Sequence, residues 1–68
     1  MKIDEQDYIG TTRRFEISGA ANSEAARDAL PKVGSEWRIG EDVLLAVERQ
    51  VYPTGLPGEF EGMVRYES

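Results

Sequence analysis

The chain reads as an α+β domain: one short helix packed on a three- to four-stranded, mainly antiparallel sheet with a long C-terminal hairpin. Three observations predict this. Phe60, Gly62, Val64 and Tyr66 alternate with Glu61, Met63, Arg65 and Glu67, the period of two that sets one row on a core and the other in water. Arg13, Phe15 and Ile17 alternate in the same way with Thr12, Arg14, Glu16 and Ser18. Between these strands lies an alanine-rich stretch with capping residues before it and Pro31 after it, the marks of a short helix.

Taken in order, residues 1–7 carry Lys2, Asp4, Glu5 and Asp7, with Ile3 the one larger apolar side chain after Met1. They read as an acidic arm, ordered only where something holds it, ahead of a single domain over residues 8–68. The first strand opens at Tyr8 or Thr12, with Gly10 as a bulge or bend, and Gly19-Ala20-Ala21 ends it. Asn22 or Ser23 caps the helix, and Glu24 lies beside the positive end of its dipole. Ala26, Ala29, Leu30 and Val33 fall at i, i+3, i+4 and i+7, yet Pro31 disfavours helical geometry at Leu30, so the helix stops near Ala29 or Leu30 and Val33 is expected to tuck beneath the exit turn. Glu36 to Gly40 alternates briefly around Trp37, which is expected to be mostly buried. Residues 42–52 fit both a helical stripe of Val43, Leu44, Val47 and Val51 and a strand row of Val43, Leu45, Val47 and Val51 broken by Arg49. The valines, Tyr52 and the Pro53 stop favour the strand. Pro53 to Gly58 is turn chemistry joining antiparallel neighbours, and the first strand is expected beside the C-terminal one.

Composition bounds the function. A chain of 68 residues and 7.6 kDa holds one small domain, and 40% apolar with 31% charged residues is a globular mixture. The absence of Cys and His removes disulfides, thiol nucleophiles, His-based acid–base schemes and zinc sites of the usual kind. A net charge of −5 opposes nucleic-acid binding, and Arg13-Arg14, the one adjacent basic pair, reads as a solvated strand face. No apolar run is long enough for a membrane span, and the acidic N-terminus lacks a secretory apolar run, so synthesis and use in the cytoplasm of the host are expected. So thin a core makes homo-oligomerisation or docking on a partner the common aid to stability.

Catalysis would fall to carboxylates. Glu59 and Glu61 share a strand face, but Arg65 and Glu67 make that face a hydrated one, and a domain this small leaves little room for a cleft. Asp4, Glu5 and Asp7, or Glu41 with Asp42, are candidate cation ligands without EF-hand spacing. Gly19 stands alone before the helix, unlike a phosphate loop. Ser18, Ser23, Ser35 and Ser68 lack a recognisable serine–lysine motif around Lys32. The expectation is therefore a non-enzyme with no cofactor or metal, acting on other protein chains. Leu56 and Pro57 at the hairpin tip, Tyr52 at its base and Ile3 in the arm are the candidate contact residues. Leu56, beside Gly55, Pro57 and Gly58, is either presented outward with little entropy to lose or folded back on its own sheet. The sheet edges offer a second means of contact.

Arg14-Phe15-Glu16-Ile17-Ser18-Gly19, the small helix closing at Leu30-Pro31 with Gly34 after it, and the final Val64-Arg65-Tyr66 strand resemble small structural modules of tailed-bacteriophage virions. The resemblance spans residues 12 to 67, lies in layout, and does not include the Pro53 to Gly58 tip. It implies an adaptor, cement or decoration role: a virion structural or assembly protein binding copies of itself or other virion proteins, with no catalytic residue. A small acidic phage-encoded inhibitor of a host enzyme or defence complex is the alternative.

Overall fold

A computed structural model describes residues 1–68. The elements are β1 (Lys2–Ile9), β2 (Thr12–Ser18), α1 (Ser23–Asp28), β3 (Glu36–Ile39), β4 (Asp42–Pro53) and β5 (Phe60–Glu67). The strands form a single antiparallel sheet in the order β1-β2-β5-β4-β3. Thus the strand around Arg13, Phe15 and Ile17 does pair with the C-terminal strand as expected, as β2 with β5. Residues 42–52 are strand, and β4, rising about 3.3 Å per residue, sets the 39 Å long axis of the molecule.

The sheet has five strands because the N-terminal residues pair with β2 along their whole length. The residues read as an acidic arm are thus an edge strand of the sheet. Gly10 is neither bulge nor bend: with Thr11 it forms a two-residue hairpin joining the Ile9–Thr12 pair, at φ +60°, the glycine-first arrangement of a II′ turn. Gly40-Glu41 repeats the device between Ile39 and Asp42, at φ +58°. The bulge of β1 lies instead between Glu5 and Asp7.

One face of the sheet carries the core. Phe15 and Ile17 of β2, Gly62, Val64 and Tyr66 of β5, and Leu44 and Ala46 of β4 are buried there beneath Ala20, Ala26 and Leu30. The row Val43, Leu45, Val47 and Val51 does not keep to one face of β4: Val43 and Leu45, each 45% exposed, lie on the outer face, and Leu44 and Ala46 take the inside. A bulge between Ala46 and Glu48 then shifts the register, so that Arg49 lies opposite Val64 and Val51 opposite Gly62 on the core face.

Helix α1 lies on that face over β4 and β5. Asn22 is its N-cap, accepting a 2.8 Å bond from the Ala25 N–H, and the helix closes at Ala29 with a tight turn in which Leu30 N–H bonds Arg27 C=O at 3.1 Å. Pro31 ends it as expected. Buried Ala26 permits close approach of the helix, and Leu30 fills the space above Gly62. Val33 does not tuck in: Gly34 N–H and Ser35 C=O dock on Ala46 at 2.7 and 2.9 Å, which holds the exit turn against β4 by its backbone and leaves Val33 59% exposed. This helix has six residues, and no helix is long and apolar enough to cross a membrane.

The sheet curls until its two edges approach. Tyr8 on β1 meets Trp37 on β3 edge-to-face at 5.1 Å between ring centroids, and Trp37 in turn stacks at a tilt on Tyr66 at 5.0 Å. Trp37 is half-buried rather than mostly buried, because β3 is an edge strand.

Candidate functional site

The hairpin tip is built by chain reversal and then braced. Thr54 N–H donates to Glu59 C=O at 3.3 Å and Glu59 N–H to Leu56 C=O at 3.1 Å, closing the loop on itself. A third bond ties the loop to the body: Ala20 N–H donates to Gly58 C=O at 3.1 Å, with Gly58 lying against the Gly19-Ala20 backbone. At φ +75°, Gly58 holds a left-handed backbone conformation that a side chain would strain. Leu56 stands out of this loop 62% exposed and forms no part of the core. Pro57 beside it and Tyr52 at the base of the hairpin are exposed too.

Leu56 and Pro57 lie together in the tip loop, Tyr52 lies in β4 just before it, and Ile3 lies apart on β1. Tyr52 pairs with Glu61 on the outer face, close in the hairpin to Leu56 and Pro57. Ile3 pairs with Ile17 and so faces the core side, 38% exposed at the sheet edge. It flanks the core at the same end of the molecule without joining the tip.

The acidic residues considered for chemistry are dispersed or paired. Glu61 accepts from Arg14 at 3.1 Å on the outer face, and Glu59 belongs to the tip loop. In β1, Glu5 faces inward to Arg13 at 2.7 Å, while Asp4 and Asp7 pair outward with Lys2 and Arg14 at 3.7 and 3.5 Å. A polar concavity on the outer face, lined by Asp4, Asp7, Arg14, Glu16 and Glu61 among others, is crossed by these ion pairs.

Arg13 is the residue whose role was missed. Its adjacency to Arg14 suggests a solvated pair, but it sits in the apolar row with Phe15 and Ile17, and its side chain is only 15% exposed. Its guanidinium carbon lies 5.0 Å from the Trp37 ring centroid, 5.1 Å from Phe15 and 5.8 Å from Tyr66, and Nη1 donates to the Tyr66 hydroxyl at 3.2 Å. Nε alone lacks a hydrogen-bond partner, and the aromatic faces around the cation supply electrostatic compensation. Burial pulls the Arg13 pKa down, but bonds to Glu5 and Tyr66 outweigh it and hold the group above its ordinary range. The signal was available: alternation placed Arg13 on the inner row.

A second concavity lies beside β4. Ser23, Glu24 and Arg27 of α1 form one wall, and Arg49, Gln50, Val51 and Tyr52 form the other. Side chains of consecutive strand residues point to opposite faces, so a groove lined by four in a row runs along the strand's edge. Sequence periodicity does not report such a feature, because it depends on β3 being shorter than β4.

No protein-family model, curated protein or solved structure matches the chain.

Proposed function

We propose that this chain is a non-enzymatic structural or assembly protein of a tailed-phage virion, acting by contact with other protein chains. The observation that carries the contact reading is Leu56: a large apolar side chain, 62% exposed, on a loop already tied to the body of the domain. Such a group loses little conformational freedom on insertion into a partner, so more of its burial energy appears as affinity. Tyr52 and Pro57 extend the same surface with an aromatic ring and a rigid turn residue. The virion setting rests on the layout of β2, α1 and β5 that resembles tailed-phage modules.

Leu56→Ser tests the reading. Because the side chain contributes nothing to the core, the substitution is expected to cost less than about 0.5 kcal/mol of stability in urea unfolding. Co-sedimentation with capsid or tail proteins is expected for the unaltered chain and is lost in the variant. A chain that never associates with such particles, or a variant that binds them equally well, refutes it.

A further inference from the structure

We infer that a second copy of this chain docks along the open edge of β4, residues 47–53, pairing antiparallel to the same segment about a two-fold axis at Gln50. Strand β3 covers β4 only from Asp42 to Leu45, and the docked Gly34-Ser35 backbone extends the cover to Ala46. Beyond that point β4 pairs with β5 on one side and with no strand on the other. No backbone hydrogen bond outside that ladder reaches residues 47–53. The edge groove described above runs along this stretch, with α1 as its far wall.

The charges in the groove identify the occupant. Arg27 and Lys32 are the basic residues that make no ion pair, and Glu24, one helical turn from Arg27, makes none either. One wall thus offers an unpaired acid and an unpaired base. A two-fold contact is self-complementary by symmetry: with the two helices antiparallel across the axis, Glu24 of each copy can face Arg27 of the other. The strand itself agrees. With the axis at Gln50, Arg49 lies opposite Val51 and Glu48 opposite Tyr52 of the second copy, whereas an axis at Arg49 would set two arginines against each other. The other long edge is unsuited to self-pairing. Strand β1 carries Asp4, Glu5 and Asp7 and a bulge after Glu5, the charge and irregularity that blunt an edge. The contact is separate from the Leu56 tip, so this inference and the virion reading can fail independently.

Charge exchange on α1 provides the test. Sedimentation equilibrium on the full chain is expected to show a monomer–dimer equilibrium. Glu24→Arg and Arg27→Glu, each of which puts like charges across the axis, are expected to weaken the dimer roughly tenfold. The double variant Glu24→Arg/Arg27→Glu restores opposite charges and is expected to recover the dimer. Hydrogen exchange should show amides within residues 47–52 gaining protection with protein concentration, while those of β1 do not. A chain monomeric at millimolar concentration, a dimer indifferent to all three variants, or protection gained on β1 instead would overturn the inference. Circular dichroism of each variant identifies any loss of dimer that comes from unfolding, and the recovery arm then decides.

Discussion

Gly62 shows how closely this small core is fitted. Its backbone is ordinary for a strand, so its requirement is for space: a Cβ there would lie 2.7 Å from Leu30 Cδ2, 3.1 Å from Leu30 Cδ1 and 3.3 Å from Ile17 Cδ1. Leu30 and Ile17 are each 2% exposed and have no free direction in which to move. Gly62→Ala is therefore expected to cost about 1–3 kcal/mol through overpacking, read as a lowered midpoint in thermal melting. Combining it with Leu30→Val, which shortens the clashing side chain, should cost less than the sum of the two single changes. Additive losses would show that the methyl group is accommodated elsewhere. Arg13 makes the complementary point, that a charge can be a core residue when rings and a carboxylate surround it. Since its folded pKa is raised, its contribution is fully present below its ordinary pKa and is lost only as pH rises through the folded value. The contribution of the Arg13 charge is thus insensitive to pH across the neutral range.

Among the elements, α1 depends most on its ends. Six residues are far too few for a helix to hold its shape by propensity, and the Asn22 carboxamide satisfies a first-turn N–H at 2.8 Å. Asn22→Ala is expected to cost about 1 kcal/mol, and Asn22→Asp close to nothing, as measured by urea unfolding; equal losses in both would assign Asn22 a role other than the cap. This helix was legible in the sequence because cap, alanines and Pro31 are local signals. β2 and β5 were legible because one face is buried and the other wet, the condition under which alternation speaks. β1 was hidden for the opposite reason: all eight of its residues are exposed, and its charges face both ways. β4 was legible as a strand but the row it buries was not, because Val43, Leu45 and Val47 are more apolar than the positions they occupy, while Ala46 is small where the core is tight. The bulge after Ala46, which brings Arg49 and Val51 inward, has no signature in composition. The exposed tip was foreseen as one of two alternatives, and bonds from elsewhere in the chain, above all Ala20 to Gly58, decided it.

For the molecule as a whole, the curl of the sheet supplies what a second layer supplies in larger domains. At one end α1 and Leu30 cover the concave face; at the other, Tyr8, Arg13, Trp37 and Tyr66 close it by linking the edge strands β1 and β3. The salt bridges of Arg13 with Glu5 and Arg14 with Asp7 hold β1 to β2 and so keep Tyr8 in reach. The exposed Arg14–Asp7 pair is weak by itself, but it acts on the same edge as the Arg13–Glu5 pair, whose guanidinium is largely enclosed. An edge-to-face aromatic pair adds about 0.5–1.5 kcal/mol beyond its buried area, a sizeable share of the stability of a domain this small. Tyr8→Ser should therefore cost about 1 kcal/mol or more and, with no other tryptophan in the chain, raise acrylamide quenching of Trp37 fluorescence. The far-ultraviolet dichroism of the helix should be unchanged, because α1 packs on β4 and β5, away from the clamp. Unaltered quenching would mean that β1 does not cover Trp37 in solution, and the edges would then stand apart. A quenching increase accompanied by loss of helix signal would mean instead that the two ends of the concave face unfold as one cooperative unit.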